Sequence, residues 1–124
     1  MNLNPEKDLD IDVKDLTAEF KKLSLLLFRY YEAKADSERE YDKVKQTHEE
    51  IRARVYRGLK SSGDKLTEKA LEAAIDSNDD VLSIQTMMLD AKRTLATWYG
   101  AVESMKAKKD CLIQLGADRR AEEK

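Results

Sequence analysis

The sequence predicts an all-α protein: a long antiparallel helical hairpin with a short helix near its turn, assembling into an oligomer. Two unbroken heptad patterns carry this prediction, together with one loop-forming stretch that separates them. The composition agrees. The 124-residue chain has one proline, four glycines and 39% charged residues, well above the usual quarter and suited to long solvated helices. Its length fits a single domain, read as an acidic lead-in over 1–15, a helical hairpin over 16–116 and a charged C-terminal tail over 117–124.

The lead-in carries Asp8, Asp10, Asp12 and Asp15 among few large apolar residues, and is expected to be loose or to order only on contact. A helix start follows at Asp15-Leu16-Thr17-Ala18-Glu19, where acids favour the positive end of the helix dipole. From there one heptad row is Leu16, Leu23, Tyr30, Ser37, Val44 and Ile51, and the other is Phe20, Leu27, Lys34, Tyr41, His48 and Val55. Alternating steps of three and four place both rows on one stripe, as a packed helix partner requires. The stripe weakens at Lys34, Ser37 and His48. A helix over 16–59 would be roughly 66 Å long, more than a compact globule accommodates. The run Ser24-Leu25-Leu26-Leu27-Phe28 is apolar all round, which marks extra packing or a break.

Lys60-Ser61-Ser62-Gly63-Asp64-Lys65 reads as the loop. Leu66-Thr67 with Leu71 resembles a hydrophobic staple around a threonine cap, opening a short helix to about Ile75. Ser77 with Asp80 three residues on looks like a capping-box restart. The second heptad then takes Val81, Ile84, Met88, Ala91, Leu95, Trp98, Val102, Met105, Lys109 and Leu112, and is expected to close at Gly116. Leu82, Leu89 and Ala96 form a flanking apolar row that suits a second neighbour. One seam buries little, so self-association is expected.

The formal net charge of −2 hides a strong segmentation. Residues 52–69 hold six bases (Arg52, Arg54, Arg57, Lys60, Lys65, Lys69) against Asp64 and Glu68. Residues 70–90 have no base and five acids, and residues 92–124 have eight bases against five acids. A basic turn is a phosphate-binding candidate, because clustered cations release counterions from nucleic acid. Tyr56, inside the cluster, is placed to stack on a base. The alternative is a solvated loop whose arginines pair with Glu49, Glu50 or Glu72. The acidic 70–90 stretch reads as a docking surface for a basic protein or as a neutralising partner for a neighbouring copy's turn.

Other chemistry is sparse. His48 lies on the apolar stripe with no metal-ligand spacing around it. Cys111 lacks a base partner and reads as a small half-buried residue. Asp76, Asp79 and Asp80 suggest a metal-binding cluster, but helix capping accounts for two of them. Trp98 and Tyr99 suit core or oligomer contacts better than base stacking. No phosphate-binding glycine loop, nucleophile elbow or paired-carboxylate motif is present, so neither an enzyme nor a cofactor or metal site is expected. A single cysteine excludes an intrachain disulfide and suits a reducing cytosol. No apolar run reaches membrane-spanning length, and no signal-peptide pattern appears.

Three stretches resemble the UvsY-like recombination mediator proteins of T-even-type phages. Arg52-Ala53-Arg54-Val55 is similar to the family's Lys/Arg-Ala-Arg-Leu motif associated with single-stranded DNA. Ser77-Asn78-Asp79-Asp80-Val81-Leu82 resembles the acidic start of its long C-terminal helix. Gly100-Ala101-Val102-Glu103-Ser104-Met105-Lys106 resembles a later stretch of that helix, and the likeness covers about residues 45–122. It implies a six- or seven-membered ring that binds single-stranded DNA, contacts a strand-exchange recombinase and a single-stranded DNA-binding protein, and helps the first displace the second. Arg52 and Arg54 would then contact the strand. Arg57, Lys60 and Lys65 join them on local charge alone, and Trp98, Val102, Met105 and Leu112 would serve assembly. The chain departs from the family's basic balance, so a ring would have to multiply a modest affinity by avidity. The host-cell cytoplasm is the expected location. The competing reading is a coiled-coil structural or assembly adaptor whose charges only solubilise it.

Overall fold

The computed structural model describes residues 3–63 and 65–123. Met1 and Asn2 of the lead-in, Asp64 of the loop and Lys124 of the tail lie outside the described residues. Four helices follow in order: α1 (Pro5–Asp8), α2 (Leu16–Ser61), α3 (Glu68–Asp76) and α4 (Asp79–Glu122). Met1–Asp36 with Ala96–Lys124 make one compact unit, and Ser37–Leu95 make the other.

Capping chemistry sets most of these boundaries. Pro5 opens α1 behind Asn4, whose side chain accepts from the Lys7 N–H, using a position where a missing N–H costs nothing. The Asp15 carboxylate accepts from the Ala18 N–H at 3.1 Å, capping α2 where the acids of the sequence predict a start. Thr67 caps α3 by accepting from the Ala70 N–H, as its position before Leu71 suggests. The α4 cap differs from expectation. Asn78 Oδ1 accepts from the Asp80 and Val81 N–H groups, while Ser77 ends α3 and donates its hydroxyl back to Ala73 and Ala74 carbonyls. Amide and hydroxyl caps are nearly equal in preference, and the α3 carbonyls claim the serine first.

In the first unit, early α2 packs on late α4. Leu16, Leu23 and Tyr30 are buried with Ala101, Val102, Met105 and Leu112. All of these but Ala101 keep the predicted heptad frame, and burying each large side chain stabilises by about 1.5–3 kcal/mol. The lead-in is ordered by contact, with Leu3, Leu9 and Ile11 packed against the same core. Four polar contacts hold it. Tyr30 donates its hydroxyl to Asp8 at 2.7 Å, Lys108 donates its ammonium to the Asp8 carbonyl, the Asp12 N–H reaches Glu19, and Arg119 donates to the Val13 carbonyl at 2.6 Å. α2 continues without a break through Leu25–Phe28. Leu26 and Leu27 join the core, whereas Leu25 and Phe28 stay exposed.

In the second unit, late α2 supplies Ile51, Val55 and Leu59 against Leu71 and Ile75 of α3 and Val81 of α4. Here late α2 meets early α4, and within the first unit early α2 meets late α4. Val44 and Ile84 are also buried, and His48 occupies its stripe position with Nε2 shielded and without a hydrogen-bond partner.

Two features of α4 overturn the sequence expectation. The helix does not close at Gly116 but runs on to Glu122. Among described residues only Gly63 has positive φ; Gly116 instead lies beside the Phe20 ring, 3.7 Å from where a Cβ would sit. The frame also shifts by one at the lysine pair: Lys109 is exposed and Lys108 is buried. Lys108 tolerates burial because Glu19 of α2 lies 2.9 Å from its ammonium, with side chains only 5% and 11% exposed.

That pair generates two predictions. Lys108→Met leaves Glu19 and the Asp8 carbonyl without their donor, and should cost about 3–5 kcal/mol in urea unfolding; adding Glu19→Gln should recover part of this, because no unpaired charge is then buried. The hydrogen bond from Lys108 also holds the Glu19 carboxyl below its ordinary value of 4.5, while burial, reinforced by Asp8, pushes the Tyr30 hydroxyl above its ordinary 10. The depressed acid contributes stability that is complete above about pH 4.5 and is lost as pH falls through the lowered folded value. The raised phenol contributes stability that is complete below about pH 10 and is lost as pH rises further. Thermal midpoints against pH should therefore decline at both ends, with Tyr30→Phe removing the alkaline decline due to this group.

Candidate nucleic-acid interface

Four of the five predicted cations lie on the last three turns of α2, in the second unit. At 100° per residue Ile51, Val55 and Leu59 form the apolar stripe, so the cations must fan across the remaining surface. Arg52, Tyr56 and Lys60 recur every four residues and form one row. Arg54 and Arg57 form a second, on the far side from α3. Arg54, Arg57, Lys60 and Tyr56 are exposed, and the Lys60 ammonium stands 5.7 Å from the centre of the Tyr56 ring. An aromatic ring between two cations on one row can stack a base while its neighbours meet phosphates.

Lys65 lies past the end of α2 and is exposed. The chain reaches it through Gly63, whose φ of 84° lies in the left-handed region that favours glycine. Lys60 and Lys65 line an open cleft floored by Leu59, Leu66 and Leu71. The five residues are thus split: Lys60 and Lys65 share the cleft, Arg54 and Arg57 face solvent, and Arg52 is engaged elsewhere.

Arg52 sits beside the apolar stripe, roughly 20° around the helix from Leu59, and is half-buried. Its guanidinium donates to Asp76 at the end of α3, 2.8 Å away. The sequence reading offered Glu49, Glu50 and Glu72 as partners; the structure selects Asp76, 24 residues away. That contact removes Asp76 from the suggested metal cluster, and Asp79 and Asp80 lie in the first turn of α4. Among the described residues no group of three or more His, Cys, Asp or Glu side chains could hold a metal ion.

The residues expected to serve assembly lie in the intrachain core. Val102, Met105 and Leu112 are 1%, 0% and 0% exposed, and Trp98 is half-buried with its ring 6.0 Å from that of Tyr30. The apolar groups that α4 leaves exposed are Leu82, Met87, Leu89, Tyr99 and Ile113, two of them from the predicted flanking row. The Tyr99 ring carries the Lys34 ammonium 4.5 Å from its centre. Cys111 is exposed rather than half-buried, because it falls one residue before the buried position Leu112.

Fold and surface together define a class: an all-α protein of two long paired helices, with cations gathered at the end of the first and in the connection after it. No family model and no curated protein matches the sequence. Among solved structures the chain is similar to the recombination mediator protein UvsY of bacteriophage T4, with a TM-score of 0.79 and 20% identity over 97% of this chain and 93% of that one. The chain therefore has a UvsY-like fold. Among described residues no helix is long and apolar enough to cross a membrane.

The turn geometry makes Gly63 the residue least replaceable here. Gly63→Ala should cost about 1–2 kcal/mol in thermal or urea unfolding, although nothing lies within 4 Å of the added methyl. An unchanged midpoint would show that the connection relaxes to negative φ.

Proposed function

We propose that this protein is a recombination mediator: it binds single-stranded DNA through the basic end of α2 and promotes loading of a strand-exchange recombinase in place of single-stranded DNA-binding protein. The observation that carries this reading is the fold likeness to a recombination mediator along nearly the whole chain. The row Arg52–Tyr56–Lys60, with Arg54, Arg57 and Lys65 around it, supplies a chemically suitable surface. In this reading the protein acts as a homo-oligomer, a six- or seven-membered ring. Its exposed apolar residues, rather than the buried Val102, Met105 and Leu112, are the surface available for assembly. Several turns held together multiply a modest single-site affinity.

The mechanism is electrostatic and non-enzymatic. Each turn neutralises a few phosphates and releases their counterions, while Tyr56 adds sequence-tolerant stacking. The adaptor reading retains one argument, since Arg52 is already paired and the net charge is −2.

Fluorescence anisotropy with a labelled oligonucleotide separates the two. Three or four neutralised phosphates per engaged protomer give a slope of log affinity on log salt of about −2 to −3. Arg52→Ala/Arg54→Ala should weaken binding and flatten that slope by roughly 0.7 to 1.4, according to how far Arg52 is engaged. Absence of salt-sensitive binding in the unmodified chain would leave the adaptor reading standing.

A further inference from the structure

We propose that Asp76 is an intramolecular competitor for the phosphate contact of Arg52, so that α3 sets the affinity of the basic turn for single-stranded DNA. The inference rests on the nucleic-acid-binding reading above and concerns the control of that same surface.

Among the cations at the basic end of α2, Arg52 is nearest the apolar stripe, and it is the one paired with α3. A carboxylate offers the guanidinium the same paired acceptor oxygens as a phosphate, so Asp76 and a DNA phosphate would claim the same donors. Asp76 also stands where local chemistry disfavours an acid. It is the last residue of α3, whose last turn contains no base, next to the negative end of the helix dipole. The 2.8 Å contact with Arg52 offsets that cost.

The contact is nevertheless easily opened. Its side chains are 32% and 60% exposed, and ion pairs this accessible shift an equilibrium by about fivefold at most. Releasing Arg52 would not undock α3, which is anchored through Leu71 and Ile75, 2% and 6% exposed. Two arrangements therefore lie close in free energy. In the closed one, the row offers Tyr56 and Lys60. In the open one it extends one turn to Arg52, about 12 Å from Lys60 along the helix.

Asp76→Asn should tighten binding of a labelled oligothymidylate about three- to fivefold at low salt and steepen the salt slope by about 0.7. Asp76→Glu keeps a carboxylate and should stay near the unmodified protein. Asp79→Asn makes the same charge change away from Arg52 and should produce a smaller gain. In an Arg52→Ala background, Asp76→Asn should add no more than Asp79→Asn does. Equal gains from the Asp76 and Asp79 variants, or a gain from Asp76→Asn that persists undiminished without Arg52, would overturn the competitor and leave the DNA-binding reading intact. Loss of salt-sensitive binding in Arg54→Ala/Arg57→Ala with no response to Asp76→Asn would do the same. No salt-sensitive binding by any variant would remove both. Helicity and thermal midpoint of each variant, matched to the unmodified protein, exclude unfolding of α3 as the cause.

Discussion

The first unit depends on one buried ion pair. The Lys108 ammonium lies between Glu19 of α2 and the Asp8 carbonyl of the lead-in, so one side chain of α4 bonds to two chain segments far apart in sequence. Lys108 and Glu19 are both removed from water, a loss that their attraction offsets only with close geometry and further hydrogen bonds. Those bonds are present: Glu19 also accepts from Asp12, and Asp8 accepts from Tyr30. The consequence is specificity of alignment. Hydrophobic heptads alone would tolerate a slip of α2 along α4 by one heptad, since Leu16, Leu23 and Tyr30 are all apolar at the same position. A slip that brought Leu26, seven residues on, to the place of Glu19 would bury the Lys108 ammonium against an apolar side chain without its carboxylate, a costly exchange.

The helices themselves were legible because periodicity reports which side of a helix is dry. Leu16, Leu23, Tyr30, Val44, Val81, Ile84, Val102, Met105 and Leu112 all lie where the two heptads place them, and Thr67 caps α3 as its neighbours suggest. Two of the misreadings share a cause, a partner remote in sequence. Lys108 was passed over for Lys109 because a strict heptad ignores what a buried ammonium can bond to, and Glu19 lies on another helix. Gly116 has the composition of a stop signal, yet α4 continues past it beside the Phe20 ring. Ser77 and Asn78 are both good caps, and only the ends of α3 and α4 together decide which serves which.

The basic turn shows the same limit at the level of charge. Segment counting located the cations correctly on late α2 and in the connection after it. Within the chain it names only Glu72 of the acidic stretch that follows as a partner for the arginines. Folding brings them together, because α3 reverses the chain and returns Asp76 to Arg52. A row of potential phosphate contacts is thereby partly satisfied from within, and its two cations differ in kind. Lys60 is exposed, whereas Arg52 is already paired with Asp76. Exchange of this sort adds little to affinity but makes binding responsive to whatever holds α3. For the proposed mediator, which has to hand its strand to another protein, weak and adjustable contacts repeated around an oligomer serve better than a few tight ones. In that proposal repetition would supply the affinity, and each turn would remain able to let go.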